Sequence, residues 1–254
     1  MKLRMKNETS RVLDNFEPFN EIWFKSCFYQ AFFAILHHFN KPSLAYLANN
    51  LFLYDIDDSN PMLKLEPQNI DFTPEEEIFK LLEIGVRIKN LSSNIIGDLI
   101  TSINNNCPVI IFIDCFYESI RFDAYKKHHF PHTLLIYGYD KAKRIFHILE
   151  HNYIESMLYE KRTISYLDVR NSYNGYLENL YGIHNHATYF EYYPQESSSS
   201  SNSNVIREEL CLFIYKSRLL GNSAYSGLSG RLFRRHPDSK PETSGHLIDD
   251  LILQ

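Results

Sequence analysis

Long apolar segments are missing from this sequence, which has no run approaching the roughly 20 apolar residues that a transmembrane helix requires. The basic N-terminal stretch, residues 1–7, is also not followed by the apolar segment of a secretion signal. The sequence therefore predicts a protein that neither enters a membrane nor is exported.

Clusters of basic side chains are scarce. The chain has 26 lysines and arginines against 31 aspartates and glutamates, a formal net charge of -5, and its one notable basic cluster runs from Arg231 to Arg235. Proteins that bind nucleic acid usually concentrate positive charge on one face. Nucleic acid is therefore not an expected partner.

Cysteines are few and widely spaced, at Cys27, Cys107, Cys115 and Cys211. This spacing matches neither a zinc-binding motif nor the framework of a disulfide-rich domain. The histidines near residue 130 match no metal-ligand signature either. We therefore expect reduced thiols, a cytoplasmic location, and neither a bound metal nor a cofactor.

Hydrophobic residues make up 44% of the 254-residue chain, which is enough for a substantial core. Apolar residues at helical spacing predict a helix over about residues 26–39, and a short branched run predicts a buried strand at 108–114. Further helices are predicted from residue 73, at 97–104 and at 166–180, and further strands at 132–139, 144–149 and 187–193. N-terminal helices followed by a mostly antiparallel sheet indicate an α+β fold.

The composition changes abruptly at a serine- and asparagine-rich tract, residues 196–204, which is typical of a flexible linker. This tract predicts a main domain over residues 1–195. The segment 205–254 is predicted to be a C-terminal helical appendage, and its apolar stretches are compatible with an incomplete second region.

Two residues far apart in the sequence suggest nucleophilic catalysis. Cys27 lies in the first turn of the predicted helix, where the helix dipole and free backbone N–H groups favour a thiolate. His132 begins an apolar strand and is the candidate base, and Glu150 at the end of the next strand is the first choice to orient it, ahead of Asn152 and Asp140. The alternative is that Cys27 is a small core residue and His132 a hydrogen-bonded buried histidine.

Three segments together resemble a known family: Cys27 near the N-terminus, residues 132–140 (His-Thr-Leu-Leu-Ile-Tyr-Gly-Tyr-Asp) and residues 144–150 (Arg-Ile-Phe-His-Ile-Leu-Glu). They resemble the N-terminal domain of butirosin biosynthesis protein H and related standalone proteins of antibiotic gene clusters. That family is similar in turn to the papain-like leader peptidases that process double-glycine bacteriocin precursors. The resemblance covers about residues 20–195 and is strongest at 128–150.

The resemblance implies a papain-like fold in which a cysteine accepts an acyl group from a carrier-protein thioester and passes it to an amine. It implies that Cys27 is the nucleophile, His132 the base and Glu150 the orienting acid. The expected partners are then a carrier protein bearing phosphopantetheine and a small-molecule or peptide acceptor, in the biosynthesis of a peptide or polyketide antibiotic.

The sequence departs from papain-like peptidases at the oxyanion hole. These enzymes usually place a glutamine about six residues before the cysteine, and Glu21 occupies that position here. A carboxylate is a poor donor to an oxyanion, so the candidate donors are the neighbouring Asn20 and the backbone N–H of Cys27.

Two other functions use the same residues or the same fold. One is a cysteine peptidase or amidase related to the double-glycine leader peptidases, and the other is a papain-like binding protein that has lost turnover. The 18 tyrosines, many of them between Tyr153 and Tyr193, leave two interpretations open. They form a groove wall or docking face, or they pack together inside the fold.

Overall fold

The computed structural model describes residues 8–21, 27–43, 46–47, 50–57, 64–71, 74–151, 158–184 and 187–195. The helices are α1 (Cys27–His38), α2 (Glu75–Leu81), α3 (Ile95–Asn104), α4 (Tyr166–Asn179) and α5 (Tyr181–His184). The strands are β1 (Ser10–Val12), β2 (Asn50–Asp57), β3 (Lys64–Asp71), β4 (Ile84–Lys89), β5 (Val109–Asp114), β6 (Pro131–Asp140), β7 (Ile145–His151), β8 (Tyr159–Ser165) and β9 (Tyr189–Pro194).

Seven strands form one antiparallel sheet in the order β4-β9-β5-β6-β7-β8, and β1 pairs with the end of β6. The inner strands β5 and β6 are almost wholly buried, as their apolar sequences require. Strands β4 and β8 lie at the two ends of this order. The molecule is therefore α+β, with helices packed on an antiparallel sheet.

Strand β6 pairs with β5 through its first half and with β1 through its second half. Its pairing with β7 shifts between Ile136 and Gly138, which marks a β-bulge. Gly138 lets β1 approach closely, because a Cβ atom there would lie 2.9 Å from the carbonyl oxygen of Arg11. The bulge and this glycine together fix β1 beside β6.

Helix α1 carries the candidate nucleophile at its first residue. Its buried residues run without a break from Gln30 to Leu36, so the helix is enclosed over most of its length. Asn40 adopts a left-handed φ of 55°, and the N–H of Lys41 bonds to the carbonyl oxygen of Leu36 at 2.8 Å. This is the usual way in which a helix ends at a left-handed residue.

Tyrosines form a large part of the core. Six of the described tyrosines in the stretch between residues 153 and 193 are at least nine-tenths buried: Tyr159, Tyr166, Tyr173, Tyr176, Tyr189 and Tyr192. The hydroxyl of Tyr173 meets Thr188, and that of Tyr189 meets Ser102. Internal partners of this kind are what buried tyrosine hydroxyls need, so these tyrosines belong to the packing of the fold.

The hairpin β2–β3 is a separate two-stranded sheet with full antiparallel register from Asn50 opposite Asp71 to Asp57 opposite Lys64. It belongs to a second compact unit of the chain, whereas the helices and the seven-stranded sheet belong to the first. The sequence did not predict these strands, because a run such as Lys64–Asp71 contains proline and several charged residues.

Most predicted elements are present within one or two residues of their expected ends, including α1, α3, α4 and the strands β5, β6, β7 and β9. The expected order of helices first and sheet afterwards is only partly right, since β1 precedes α1 and β4 precedes α3. The predicted linker at 196–204 and the appendage at 205–254 lie outside the described residues. None of the described helices has the length and apolar character needed to cross a membrane.

Candidate active site

The site lies where the start of α1 meets the start of β6. Cys27 is the first residue of α1 and is half-buried. Its thiol faces the ring of His132 and the hydroxyl and backbone N–H of Thr133. The first backbone N–H groups of a helix have no partner within the helix, which favours negative charge at this position.

The register of β6 and β7 brings His132 and Glu150 together. Leu135 pairs with Leu149, which places Glu150 level with residue 134, and His132 lies two residues further along the same face. The distance between His132 Nε2 and Glu150 Oε2 is 2.8 Å. Both side chains are buried, with 4% of His132 and 0% of Glu150 exposed.

His132 therefore lies between the thiol and the carboxylate. Because Nε2 contacts Glu150, the ring nitrogen left for Cys27 is Nδ1. Burial by itself would lower the pKa of His132, but the charges of Glu150 and Cys27 raise it well above its usual value. The same geometry lowers the pKa of Glu150, since burial, which would raise it, is outweighed by His132 and Arg121.

The thiol of Cys27 is activated by these neighbours. Burial would raise its pKa, yet the charge of His132, together with hydrogen bonds from His132 and Thr133, lowers it to about 7. The other two described cysteines are different: burial raises the pKa of Cys107 to about 11 and that of Cys115 further still. At neutral pH, Cys27 is thus the described thiol that carries a substantial thiolate fraction.

A buried arginine stands behind the carboxylate. Arg121 is only 2% exposed, and its Nη1 lies 3.5 Å from Glu150 Oε1. The same guanidinium donates two hydrogen bonds of 3.0 Å to the carboxylate of Asp123. Glu150 Oε1 also accepts the backbone N–H of His151 at 2.8 Å. These contacts hold the carboxylate of Glu150 ionised and aimed at His132.

A second buried acid lies beside this group. Glu118 is completely buried, and its carboxyl oxygens accept no hydrogen bond from a nitrogen or oxygen of the described residues. Burial and the charge of Glu150 raise its pKa to about 8, although His132, Arg121 and the Cys115 thiol act in the opposite direction. The raised pKa favours the neutral form of this carboxylic acid.

The side chain of Asn20 joins two segments of the fold. Its amide donates to the carbonyl oxygen of Tyr159 at 3.1 Å and accepts the backbone N–H of Tyr159 at 2.8 Å. The pair of bonds attaches the segment before α1 to the beginning of β8. One amide N–H of Asn20 remains for another acceptor. Glu21 beside it is exposed.

A second histidine–carboxylate pair lies at the end of β5. His129 Nδ1 is 2.6 Å from the buried carboxylate of Asp114, and its ring stacks on Phe116 with centroids 4.4 Å apart. Asp114 also accepts the backbone N–H groups of Phe116 and Phe130. These contacts fix the turn at residues 115–117 and the entry into β6.

Sequence reasoning placed Cys27, His132 and Glu150 in one site, and the structure brings these three side chains together. It missed Thr133, Arg121 and Glu118. The sequence does hold an indication of two of them: Thr133 is adjacent to the candidate base, and Glu118 is the one acid in the largely apolar segment 115–122. Nothing in the local sequence indicates the role of Arg121, because its contact with Glu150 depends on the folding of a loop onto β7.

The described residues contain no group of three or more histidine, cysteine, aspartate or glutamate side chains arranged to hold a metal ion. Of the two alternative orienting groups that the sequence predicted, Asp140 and Asn152, the structure describes only Asp140, which has a different role. Asp140 accepts the N–H of Lys143 at 2.9 Å in the turn between β6 and β7, and Asn152 lies outside the described residues.

Comparison of the chain with protein-family models, with curated proteins and with solved structures gave no match in any of the three.

Proposed function

We propose that this protein catalyses cysteine-dependent acyl transfer, in which an acyl-enzyme forms on Cys27 with His132 as the base. The observation that carries the proposal is the position of His132 between the Cys27 thiol and the Glu150 carboxylate, 2.8 Å from the latter. A thiol, an imidazole and an orienting acid in this order are the parts that nucleophilic catalysis by cysteine requires. The α+β architecture is compatible with the papain-like fold that we include in the proposal.

The first half-reaction forms the acyl-enzyme. The thiolate of Cys27 attacks the carbonyl carbon of a thioester, forming the new C–S bond and a tetrahedral oxyanion. Collapse of this intermediate breaks the C–S bond to the donor thiol. The departing thiolate takes the proton from the imidazolium of His132, so a free thiol leaves and Cys27 carries the acyl group.

The second half-reaction releases the product. An amine attacks the carbonyl of the Cys27 thioester and gives a proton to His132, which is neutral after the first half-reaction. The C–S bond to Cys27 breaks, an amide leaves, and the thiolate–imidazolium pair is restored. Buried Glu150 and Arg121 do not exchange protons in this cycle; they keep His132 oriented and basic.

The candidate donors to the oxyanion are the backbone N–H of Cys27 and the remaining amide N–H of Asn20. The first has no acceptor within α1, because it belongs to the first turn, where the helix dipole also favours negative charge. The amide of Asn20 already bonds to both backbone groups of Tyr159. The contribution of Asn20 to the oxyanion hole is therefore a separate question for experiment.

The donor that we propose is an acyl group on the phosphopantetheine of a carrier protein, and the acceptor is an amine of a small molecule or peptide. This choice, the cytoplasmic location and the place in peptide or polyketide antibiotic biosynthesis rest on the resemblance of residues 132–140 and 144–150 to butirosin biosynthesis protein H.

One observation favours a different function, that of a papain-like binding protein without turnover. The two bonds between Asn20 and Tyr159 give this amide a structural role that does not require catalysis. A peptidase or amidase would use Cys27, His132 and Glu150 in the same way, with water in place of the amine. The experiment below separates these three functions.

The test is intact-mass measurement after incubation with acyl-pantetheine and acyl-carrier thioesters. We expect a mass gain equal to the acyl group in the wild type, loss of that gain in Cys27→Ala, and at least a hundredfold slower gain in His132→Ala. Cys107→Ala is the matched control. The buried thiol of Cys107 contacts Arg87, and both residues are distant in sequence from Cys27, His132 and Glu150, so this variant should leave acylation unchanged.

Two results would contradict the proposal. Acylation that persists in Cys27→Ala would show that another group reacts. Absence of an adduct with every donor would favour the peptidase if peptides are cleaved in a Cys27-dependent manner, and the binding protein if Cys27 also fails to react with iodoacetamide at neutral pH.

A further inference from the structure

Three partly exposed phenylalanines from three elements meet next to the candidate nucleophile. Phe28 of α1 stacks on Phe112 of β5 with centroids 6.4 Å apart and meets Phe190 of β9 edge to face at 5.4 Å. Phe112 and Phe190 are themselves 6.1 Å apart. We call this set, Phe28, Phe112 and Phe190, the aromatic surface.

The strand register places the aromatic surface on the same face of the sheet as Thr133, one of the two residues that contact the thiol of Cys27. Phe112 pairs directly with Thr133, so their side chains share one face, and Thr133 contacts the Cys27 thiol. Phe190 pairs with residue 110 of β5 and therefore lies on that face too. Phe28 is the residue after Cys27 and adds its ring from the helix side.

Phe112 and Phe190 are more exposed than their neighbours in the same strands. The neighbours of Phe112 in β5, Ile111 and Ile113, are completely buried, whereas Phe112 is only half-buried. Phe28 and Phe190 are half-buried as well, as is Cys27. Aromatic surface that remains partly open beside a reactive thiol offers burial to whatever is attached to that thiol.

We propose that the aromatic surface binds the acyl group carried by Cys27 and selects apolar acyl groups, aliphatic or aromatic. This inference rests on the proposed acyl transfer, whose substrate class it specifies. Strands β6, β5 and β9 are successive neighbours in the sheet, about 4.8 Å apart. An acyl group that extends from Cys27 across these strands therefore meets Phe112 of β5 first. It then meets Phe190 of β9, about 10 Å from β6. Each ring contact excludes water from apolar surface.

The test uses reagents that label Cys27 whether or not acyl transfer occurs. Iodoacetamides whose nitrogen carries no group, a benzyl group or a 2-hydroxyethyl group all react alike: a C–S bond forms and iodide leaves. Rates at Cys27 are measured by peptide mass spectrometry and divided by the rates of the same reagents with glutathione. We expect the benzyl reagent to be favoured about tenfold over the hydroxyethyl reagent, corresponding to about 1.4 kcal/mol.

Variants locate this preference. Phe112→Ala and Phe190→Ala are expected to lower the benzyl-to-hydroxyethyl ratio at least threefold, and Phe112→Leu and Phe190→Leu serve if an alanine variant does not fold. Phe122→Ala is the matched control, because Phe122 is more than half exposed in the loop before β6 and should leave the ratio unchanged. A wild-type ratio of one, or an equal loss in Phe122→Ala, overturns the inference.

Acyl-pantetheines that differ only in the acyl group separate the two proposals. Faster acylation of Cys27 by hexanoyl than by acetyl pantetheine supports both, and equal rates retain the acyl transfer but overturn the selective surface. A benzyl preference in the alkylation assay together with no acylation by any donor overturns the acyl transfer while the apolar binding surface stands.

Discussion

The chemistry available to Cys27 depends on a short series of charges behind it. The thiol contacts His132, His132 contacts Glu150, and Glu150 faces Arg121, with buried side chains throughout the last three positions. Charges interact more strongly away from water, so each member of the series affects the ionisation of the next. A thiolate on Cys27 at neutral pH is thus a property of the whole series.

Replacing Glu150 with glutamine tests this dependence. Without the carboxylate the pKa of His132 falls, and the pKa of Cys27 rises from about 7 towards its ordinary value of 9.0. Because the thiolate is the reactive form, iodoacetamide labelling of Cys27 at pH 7 should slow about tenfold. The rate is measured from pH 5 to 10, and the midpoint should move upwards by at least one pH unit.

Glu160→Gln provides the matched control for Glu150→Gln. Glu160 pairs directly with Glu150 across β7 and β8 but is exposed, so its removal should leave the midpoint near pH 7. Identical profiles for wild type and Glu150→Gln would show that His132 and Cys27 ionise independently of the carboxylate.

Three secondary-structure elements contribute to the candidate site, which lies at the start of α1, the start of β6 and the end of β7. Sequence patterns predicted these elements because α1 has helical apolar spacing and the inner strands are continuous apolar runs. The outer strands β4 and β8 were missed. Among the described strands each has one neighbour in the sheet, and each carries exposed charged residues, such as Glu160 and Lys161 of β8, which weaken the apolar pattern.

The attachment of the segment before α1 to β8 through Asn20 gives a prediction at this scale. Asn20→Ala removes both bonds to the backbone of Tyr159 and should lower the free energy of unfolding by about 1–2 kcal/mol, measured by urea titration. Asn20→Asp keeps the acceptor for the Tyr159 N–H and should lose less. The midpoint of Cys27 labelling should remain near pH 7 in both.

A purely catalytic role for Asn20 would give the opposite pattern. Asn20→Ala would then unfold like the wild type but form the Cys27 acyl-enzyme far more slowly, since a single oxyanion donor is worth about a hundredfold or more in rate.

For the molecule as a whole, the buried acid Glu118 links stability to pH. Its pKa is raised from 4.5 to about 8 by burial and by Glu150, whereas in the unfolded chain it has its ordinary value. Between pH 4.5 and 8 the unfolded chain therefore binds fewer protons than the folded one. Stability contributed by this group is complete below pH 4.5 and declines as the pH rises towards 8, by up to about 1.4 kcal/mol per pH unit.

Glu118→Gln is expected to remove this decline, because a glutamine has the same shape and does not ionise. The difference in unfolding free energy between the variant and the wild type should grow in favour of the variant by about 3–4 kcal/mol from pH 5 to pH 8. Urea titrations at both pH values measure it. Exposed Glu178→Gln should show no such change, and parallel pH curves for Glu118→Gln and the wild type would contradict the raised pKa.

The sequence by itself determined the class of the fold and the residues of the candidate site. Helical spacing defined α1, branched apolar runs defined β5 to β7, and the positions of Cys27, His132 and Glu150 at the ends of these elements predicted one site. These features are local, since each depends on the periodicity of a short segment or on the order of neighbouring segments.

The tertiary structure decided what surrounds that site. Arg121 behind Glu150, the buried acid Glu118, the backbone bonds of Asn20 and the meeting of Phe28 with Phe112 and Phe190 all join residues that are distant in sequence or lie in loops. Strand register and loop conformation bring them together. Periodicity along one segment carries no information about register between strands, so these contacts were decided only when the chain packed.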